Sequence, residues 1–170
     1  IHHRLVGSEM CIRDSSNAAT ECAACTAGYF AAEGTTSCVH CPPGYHDDDN
    51  DPATPCDGSG SACPAGTHTV QGSTECPPCD AGTADVDGDP ATACAACGAG
   101  TYAAAGSTSC TVCGAGTADD DSDSSTACTD CGAGTFSAAE ATSCTECASG
   151  DVQPLAAQSS CTSCDAGQYD

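Results

Sequence analysis

The sequence predicts a small disulfide-rich fold, an elongated tandem array of short irregular β loops with little regular secondary structure and no helix-based core. Three observations support this prediction: cysteine pairs recur at alternating intervals, large apolar side chains are scarce, and apolar residues show no helical period. The spacers between successive pairs contain 12, 14, 12, 14, 12, 14, 12 and 13 residues. One short and one long spacer with their cysteine pairs therefore make a repeat of about 34 residues.

Nine closely spaced cysteine pairs form the framework of the chain. Eight have the Cys-x-x-Cys spacing, and the ninth, Cys56/Cys63, is longer by four residues. The eight are Cys22/Cys25, Cys38/Cys41, Cys76/Cys79, Cys94/Cys97, Cys110/Cys113, Cys128/Cys131, Cys144/Cys147 and Cys161/Cys164. Dense cysteines in small units are typical of disulfide scaffolds, which persist in oxidising compartments. We therefore expect an extracellular location, in a secreted protein or in the ectodomain of a membrane protein.

The apolar composition explains why disulfides are needed. Beyond residue 15 the large apolar residues are five Val, one Leu, two Phe and four Tyr, without Ile, Met or Trp. Ordering a residue costs about 1 to 2 kcal/mol, which so few apolar side chains cannot offset. A disulfide that closes a loop of about 15 residues contributes roughly 3 kcal/mol. Covalent closure is therefore expected to replace a conventional core.

Residues 1–15 differ in character from the repeats. The stretch from Leu5 to Ser15 resembles the translation of an adapter used in sequencing libraries, so we interpret residues 1–15 as an adapter-derived scar outside the fold. The repeats then occupy residues 16–170. The alternative is a genuine amino-terminal strand before the first repeat. We also expect the chain to be an internal part of a longer extracellular protein, ending within a repeat at Asp170.

The charge distribution restricts the class of partner. The net charge is −22, and the only basic residues, Arg4 and Arg13, lie in the first 15 residues. Because nothing beyond them could neutralise phosphates, we expect no nucleic-acid binding and no direct membrane insertion. Cations, neighbouring repeats or a basic protein surface are the expected partners.

The short spacers share a turn and a β-favouring segment. They are residues 26–37, 64–75, 98–109 and 132–143, called here the short loops. In each short loop the first residue is small, the second is Ala and the third is Gly. The residue two positions after this Gly is Phe30, His68, Tyr102 or Phe136. Such a Gly suits a turn with positive φ, and the residues after it favour a short strand. A second glycine, Gly34, Gly72 or Gly106, can turn the chain back, whereas the last short loop has Glu140 and Ala141 there.

The long loops, residues 42–55, 80–93, 114–127 and 148–160, contain the candidate metal site. Three of them carry aspartates at the same alternating positions: Asp47/Asp49/Asp51, Asp85/Asp87/Asp89 and Asp119/Asp121/Asp123. Hard oxygen ligands on such loops suit Ca²⁺, with an expected dissociation constant of about 10⁻⁴ to 10⁻³ M. The alternative is a solvated acidic face that keeps the repeats soluble. Calcium is the cofactor that these loops suggest.

The recurring pattern points to a known group of extracellular repeats. The order Cys-x-Ala-Gly-[Thr/Tyr]-[Tyr/Phe] followed by Cys-x-x-Cys, as in Cys97 to Cys113 and Cys131 to Cys147, resembles the ephrin-receptor-like cysteine-rich repeat. It is also similar to the first part of tumour necrosis factor receptor repeats, within the growth-factor-receptor cysteine-rich group. The resemblance covers residues 21–170. The repeats of this chain lack the basic residues that are usual in that group, and their Asp-rich loops are an addition to the family pattern.

The resemblance also implies a disulfide pattern. The second cysteine of each pair would bond to the first of the next, which gives Cys25–Cys38, Cys41–Cys56, Cys63–Cys76, Cys79–Cys94, Cys97–Cys110, Cys113–Cys128, Cys131–Cys144 and Cys147–Cys161. The partners of Cys22 and Cys164 would lie outside the chain. The competing pattern joins first to third and second to fourth cysteines, which would pair Cys22 with Cys38 and Cys25 with Cys41.

Zinc binding, redox catalysis and nucleophilic catalysis are less expected than a disulfide framework. Cys-x-x-Cys pairs at this spacing also suit zinc ribbons, and a zinc or thiol-metal store remains an alternative class. Redox catalysis would need one pair at a helix start, and a nucleophilic triad would need a framework that the sequence lacks. His46 and His68 occupy the position of an aromatic ring and are expected to pack, and His40 is expected to be an exposed linker residue. We expect no enzymatic activity.

The function expected from the sequence is a structural spacer or protein-interaction region of a larger secreted or cell-surface protein. The alternatives are a receptor ectodomain that binds a protein ligand, and an adhesion stalk stiffened by Ca²⁺.

Overall fold

The computed structural model describes residues 9–13, 19–31, 35, 37–58 and 60–168. Regular secondary structure in these residues consists of short antiparallel hairpins, and no helix occurs in them. The fold class expected from the sequence, a small disulfide-rich repeat fold, is confirmed. The chain divides into two compact units, one formed by Ile1–Pro78 with Gly88–Ala93 and the other by Cys79–Asp87 with Cys94–Asp170.

The described residues of the first unit form two hairpins. Strand β1 (Glu9–Arg13) pairs with β2 (Ala19–Ala24), and β3 (Tyr29–Phe30) pairs with β4 (Val39–His40). Two isolated bridges, Tyr45 to Ala62 and Thr67 to Pro78, occupy the equivalent place in the next two loops. The β1–β2 register sets Cys11 opposite Cys22. This pairing does not test the origin of residues 1–15, so the adapter-derived scar stays a prediction; residues 1–8, 14 and 15 lie outside the described part.

The second unit contains five two-residue hairpins. Their strands are β5 (Thr83–Ala84), β6 (Ala95–Ala96), β7 (Thr101–Tyr102), β8 (Thr111–Val112), β9 (Thr117–Ala118), β10 (Thr129–Asp130), β11 (Thr135–Phe136), β12 (Thr145–Glu146), β13 (Asp151–Val152) and β14 (Thr162–Ser163). Each odd-numbered strand pairs with the next strand in the chain. The β-branched and aromatic residues after the turn glycine favour this extended backbone.

Each hairpin joins the start of a loop to the segment between two cysteines. In β7–β8, Thr101 lies opposite Val112 and Tyr102 opposite Thr111. The ladder continues where the N–H of Cys113 donates to the carbonyl of Gly100 at 2.9 Å. The same bond recurs from Cys41 to Gly28, from Cys131 to Gly116 and from Cys147 to Gly134. The cysteine spacing and the turn glycine therefore act together to close each loop.

Within the described part of the chain, eight disulfides close the loops, and they join the pairs that the resemblance implies: Cys25–Cys38, Cys41–Cys56, Cys63–Cys76, Cys79–Cys94, Cys97–Cys110, Cys113–Cys128, Cys131–Cys144 and Cys147–Cys161. Cys164 is a half-buried free thiol, and the side chain of Cys22 lies outside the described part.

The interior is built from sulfur and methyl groups. Among the described residues, the buried apolar side chains are all cysteines or alanines, for example Cys41, Cys113, Cys131, Ala84 and Ala118. The largest aliphatic residues lie outside, since Val70, Val86 and Leu155 are more than 60% exposed. The disulfides thus take the place of a conventional hydrophobic core.

A second turn position has a left-handed backbone in both loop types. The second-turn glycines Gly72 and Gly106 have φ of 78° and 76°, and Glu140 takes the same conformation at 61° although it has a side chain. In the long loops the corresponding residues are Asn50 at 52°, Gly88 at 68° and Ser122 at 58°. Gly34 lies outside the described residues. The turn is therefore a property of the repeat that tolerates residues other than glycine.

Candidate functional site

One position in each loop bonds to a neighbouring loop, and in seven of the eight loops its residue is buried. We call it the coupling residue; it lies six positions after the cysteine that opens the loop and is Ala31, Asp47, Thr69, Asp85, Ala103, Asp119, Ser137 or Gln153. All except Ala31 are at most 9% exposed. The first aspartate of each triplet is therefore a buried residue, unlike the aspartates that follow it.

In the first unit, coupling residues accept hydrogen bonds from the turn glycines of preceding loops. The N–H of Gly28 donates to Oδ2 of Asp47 at 2.9 Å. The N–H of Gly44 donates to the hydroxyl of Thr69 at 2.8 Å. Both glycines have φ above 80°, a left-handed conformation that glycine adopts without a steric cost.

The second unit repeats the arrangement with different acceptors. The N–H of Gly100 donates to Oδ2 of Asp119 at 3.1 Å. Gly82, Gly116 and Gly134 donate instead to the backbone carbonyls of Ala103, Ser137 and Gln153. The acceptor at the coupling position is therefore a carboxylate, a hydroxyl or a backbone carbonyl, depending on the loop.

The coupling residue also donates its own N–H to a loop farther along the chain. Ala31 donates to Pro52 and Thr69 to Pro90 in the first unit, and Ala103 donates to Ser124 in the second. Asp119 donates to Ala141 at 3.0 Å. Thr69, Ala103 and Asp119 each thus connect their loop to the loops before and after it.

The second and third aspartates of the triplets are exposed and organise their own loop. The N–H of Asp51 and the hydroxyl of Thr54 donate to the carboxylate of Asp49, each at 2.8 Å. In loop 114–127, Asp123 and Thr126 make the equivalent bonds to Asp121 at 3.0 and 2.9 Å. The third aspartate accepts a further backbone bond, from Ala53 to Asp51, from Ala91 to Asp89 and from Ser125 to Asp123.

These hydrogen bonds favour the charged carboxylates. The N–H of Asp51, followed by the hydroxyl of Thr54, holds the pKa of Asp49 below its ordinary value of 3.8. The hydroxyl and N–H of Ser125 hold the pKa of Asp123 below the same value. Donors that point at an ionised carboxylate stabilise it relative to the protonated form.

The predicted calcium ligands fall into two environments. Asp47, Asp85 and Asp119 are buried, and Asp47 and Asp119 accept bonds from other loops, whereas Asp49, Asp51, Asp87, Asp89, Asp121 and Asp123 are exposed. Among the described residues, the only group of three His, Cys, Asp or Glu side chains whose potential ligand atoms lie within 4.8 Å of one another is His46, Cys63 and Cys76, and its two sulfurs are joined in a disulfide. Calcium binding stays a prediction, which calorimetric titration of an Asp49→Ala/Asp121→Ala variant checks.

His46, His40 and His68 are all at least partly buried, and the first two contact identifiable partners. Nδ1 of His46 lies 3.1 Å from Sγ of Cys76 and 3.0 Å from the carbonyl oxygen of Ser61. His40, expected to be exposed, is half-buried, with its ring edge toward Tyr29 and its Nδ1 buried without a hydrogen-bond partner. The expectation for His40 was wrong because β4 places it opposite Tyr29. His68 is half-buried.

The sequence analysis missed the coupling role. It grouped each triplet as one acidic cluster, although the first aspartate lies at the position held by Thr69, Ala103 and Ser137 in other loops. Aligning every loop from its opening cysteine would have shown that this position alternates between small residues and aspartate or glutamine. Such an alignment would have separated this position from the other two aspartates of each triplet.

The described residues form no helix with the length and apolar character needed to cross a bilayer. No curated protein matches the chain significantly. Residues 134–170 match the family model described as tyrosine-protein kinase ephrin type A/B receptor-like. The disulfide-closed loops that precede this segment have the same alternating lengths and the same turn glycine, with Cys56/Cys63 as the one longer cysteine pair. The chain is therefore a tandem series of cysteine-rich repeats whose residues 134–170 carry the ephrin-receptor-like family match.

Proposed function

We propose that these repeats form a spacer in the extracellular part of a larger secreted or cell-surface protein and present an acidic surface to a protein partner. The family match and the disulfides indicate an extracellular receptor or interaction region. The coupling residue carries the proposal for a spacer, because it bonds to the loops on both sides.

The bonds of a coupling residue restrict motion between adjacent loops. In the second unit, Asp119 accepts from Gly100 and donates to Ala141, so it bonds to loops 98–109 and 132–143. Loop 132–143 returns a bond from Glu140 to the carbonyl of Cys113 at 2.9 Å. Loops joined only by flexible linkers would need no such buried pairing. Reciprocal bonds of this kind support a role in which spacing between loops is maintained.

The exposed aspartates support a basic protein partner. Asp48, Asp49 and Asp51 are exposed in loop 42–55, and Asp120, Asp121 and Asp123 are exposed in loop 114–127. No lysine or arginine occurs beyond residue 15 to neutralise them. Such a surface attracts lysine-rich or arginine-rich partners through a field that salt screens.

A ligand-binding receptor ectodomain is the alternative. It is favoured by the β3–β4 hairpin, where Tyr29 is 40% and Val39 is 47% exposed. Exposed aromatic and aliphatic side chains are the kind that anchor protein ligands. An apolar contact of this kind would persist at high salt, unlike one made by aspartates.

Small-angle scattering of the oxidised chain tests the spacer. The expected result is a maximum dimension that stays constant between about 0.05 and 1 M salt, because covalent and hydrogen-bonded coupling is little affected by screening. A dimension that contracts steadily as salt rises would reveal a flexible, self-repelling chain and contradict the proposal. The reduced chain provides the flexible control.

Binding to a lysine-rich peptide tests the acidic surface. We expect weak binding that disappears as salt rises and falls when Asp49 and Asp121 are both changed to Asn. Binding to a partner that survives high salt and requires Tyr29 and Val39 would instead support the receptor alternative.

A further inference from the structure

The disulfide Cys63–Cys76 has an imidazole in contact with its sulfur atoms. Nδ1 of His46 lies 3.1 Å from Sγ of Cys76 and 3.8 Å from Sγ of Cys63. It also lies 3.0 Å from the carbonyl oxygen of Ser61. A carbonyl oxygen only accepts hydrogen bonds, and disulfide sulfurs carry no proton. Nδ1 therefore carries the hydrogen, which faces both Ser61 and Cys76.

The contact with His46 distinguishes the Cys63–Cys76 disulfide from the other disulfides of the described residues. Among the described residues, His46, Cys63 and Cys76 form the only group of three His, Cys, Asp or Glu side chains whose nitrogen, sulfur or oxygen atoms all lie within 4.8 Å of one another. His46 lies five positions after Cys41, and the same position in loops 80–93 and 114–127 holds Ala84 and Ala118. Those alanines supply no donor to a sulfur atom.

We propose that Cys63–Cys76 is a thiol-exchange site, at which a small external thiol forms a mixed disulfide with Cys63. The external thiolate donates an electron pair to Sγ of Cys63 and forms a new S–S bond. The Cys63–Cys76 bond breaks, and its electron pair moves to Sγ of Cys76, which leaves as a thiolate. A second external thiol can then release Cys63 as a thiol, so two external thiols are oxidised to one disulfide.

His46 assists the step through the leaving group. Exchange is faster when the departing sulfur is stabilised as a thiolate, and nearby cationic or hydrogen-bond donors supply that stabilisation. The Nδ1–H of His46 is already aimed at Cys76, so it gains a charge-assisted hydrogen bond as the S–S bond breaks. The closer approach to Cys76 than to Cys63 selects Cys76 as the leaving thiolate.

Opening this bond would also release contacts between loops of the first unit. Loop 64–75, which the disulfide closes, holds Thr69, and the hydroxyl of Thr69 accepts the N–H of Gly44. In the same loop Gly72 donates to Cys41, and Ser73 accepts from Asp47. Exchange at Cys63 therefore weakens the coupling of loop 64–75 to loop 42–55.

Cys131–Cys144 provides a matched control within the same chain. Both disulfides close loops with a sequence separation of 13, and each joins a buried first cysteine to a half-buried second one. They differ in the imidazole of His46, which contacts Cys63–Cys76, whereas Ala118 holds the equivalent position in the loop before Cys131–Cys144.

The test treats the oxidised full chain briefly with reduced glutathione, followed by alkylation and mass spectrometry. Cleavage after acidic residues separates Cys63 from Cys76 at Glu75, and Cys131 from Cys144 at Glu140. We expect Cys63–Cys76 to exchange about tenfold faster than Cys131–Cys144, as a hydrogen bond to a developing charge would allow. Glutathione should be found on Cys63. Equal rates, or glutathione on Cys76 alone, would overturn the proposal.

Two variants separate chemistry from packing. His46→Ala places in loop 42–55 the residue found in the two following acidic loops, and His46→Phe retains a ring like those of Phe30 and Phe136. Both should slow exchange at Cys63 about tenfold and leave Cys131–Cys144 unchanged. If His46 only shields the disulfide, removing it would accelerate exchange, and that opposite sign would overturn the proposal.

Discussion

The backbone N–H of Gly100 donates a hydrogen bond to the carboxylate of Asp119, although the two residues are 19 positions apart and belong to different disulfide-closed loops. Asp119 is 7% exposed, so its carboxylate is removed from water as well as paired. A buried donor that loses its only acceptor costs more than an exposed one, because no water replaces the bond. Asp119 therefore supplies one of the bonds between these loops, beside the backbone bond from Ala103 to Ser124.

Replacing Asp119 by Ala should weaken the contact. We expect the free energy of local opening at the Gly100 amide to fall by about 1 to 3 kcal/mol, with a smaller loss for Asp119→Asn, which keeps an acceptor. Native-state hydrogen exchange of the Gly100 amide measures this change. The exposed neighbour Asp120 is the control, and Asp120→Ala should leave the exchange rate unchanged. Unaltered protection in Asp119→Ala would contradict the coupling role.

Replacing Glu140 by glycine should increase the stability of the oxidised protein. Its φ of 61° is left-handed, a conformation that costs a residue with a Cβ about 1 kcal/mol relative to glycine. Glu140→Gly should therefore stabilise the oxidised protein by up to about 1 kcal/mol in urea unfolding followed by circular dichroism. Ala139→Gly, one position earlier, should destabilise it by a similar amount because glycine gains freedom in the unfolded chain. Destabilisation by both variants would show that the Glu140 side chain makes a favourable contact.

Gly100 should tolerate no side chain. Its φ is 73°, and an added Cβ would collide with the backbone carbonyl of Glu140. Gly98, in the same loop, has open space around its Cα. We expect Gly100→Ala to lower strongly the yield of correctly oxidised protein, measured by chromatography after refolding, and Gly98→Ala to refold like the original chain. Comparable yields for the two variants would refute this reading of the turn.

The acidic loops should lose local order at low pH. The pKa of Asp49 is lower in the folded chain than its ordinary value of 3.8, so the unfolded loop binds more protons. The stabilising contribution of Asp49 is therefore present above about pH 3.8 and lost as pH falls through the lowered pKa of the folded state.

Thr54→Val should move the pKa of Asp49 upward, toward 3.8, because it removes a hydroxyl donor to the carboxylate. Titration of the Asp49 carboxyl carbon by NMR measures this pKa. Thr126→Val removes the equivalent hydroxyl in loop 114–127 and should leave Asp49 unchanged. An Asp49 titration that does not respond to Thr54→Val would show that the hydroxyl does not stabilise the carboxylate.

The eight disulfides should be required for folding. The oxidised chain should be lighter than the reduced one by at least about 16 Da, for eight bonds at two hydrogens each. Full reduction should remove protection against proteolysis, because cysteine and alanine supply the buried apolar side chains of the described residues. A reduced chain that resists protease would contradict this account.

Much of the fold could be predicted because its determinants are local in sequence. The spacing of the cysteines sets the loop lengths, and glycine three positions after each opening cysteine provides the positive φ that Gly28, Gly100 and Gly134 adopt. The scarcity of large apolar residues predicted an interior without a conventional core. The pairing of cysteines followed from a family resemblance, since spacing alone allows more than one connectivity.

The sequence alone therefore determined the class of the repeat, its loop boundaries and its acidic character. Only the tertiary structure decided that Asp47 and Asp119 are buried acceptors while Asp49 and Asp121 are exposed, and that His46 touches Cys76. The physical reason is that turn propensity and loop length depend on neighbouring residues, whereas burial and hydrogen-bond partners depend on which loops meet. Those contacts join residues 19 to 30 positions apart, which no local pattern specifies.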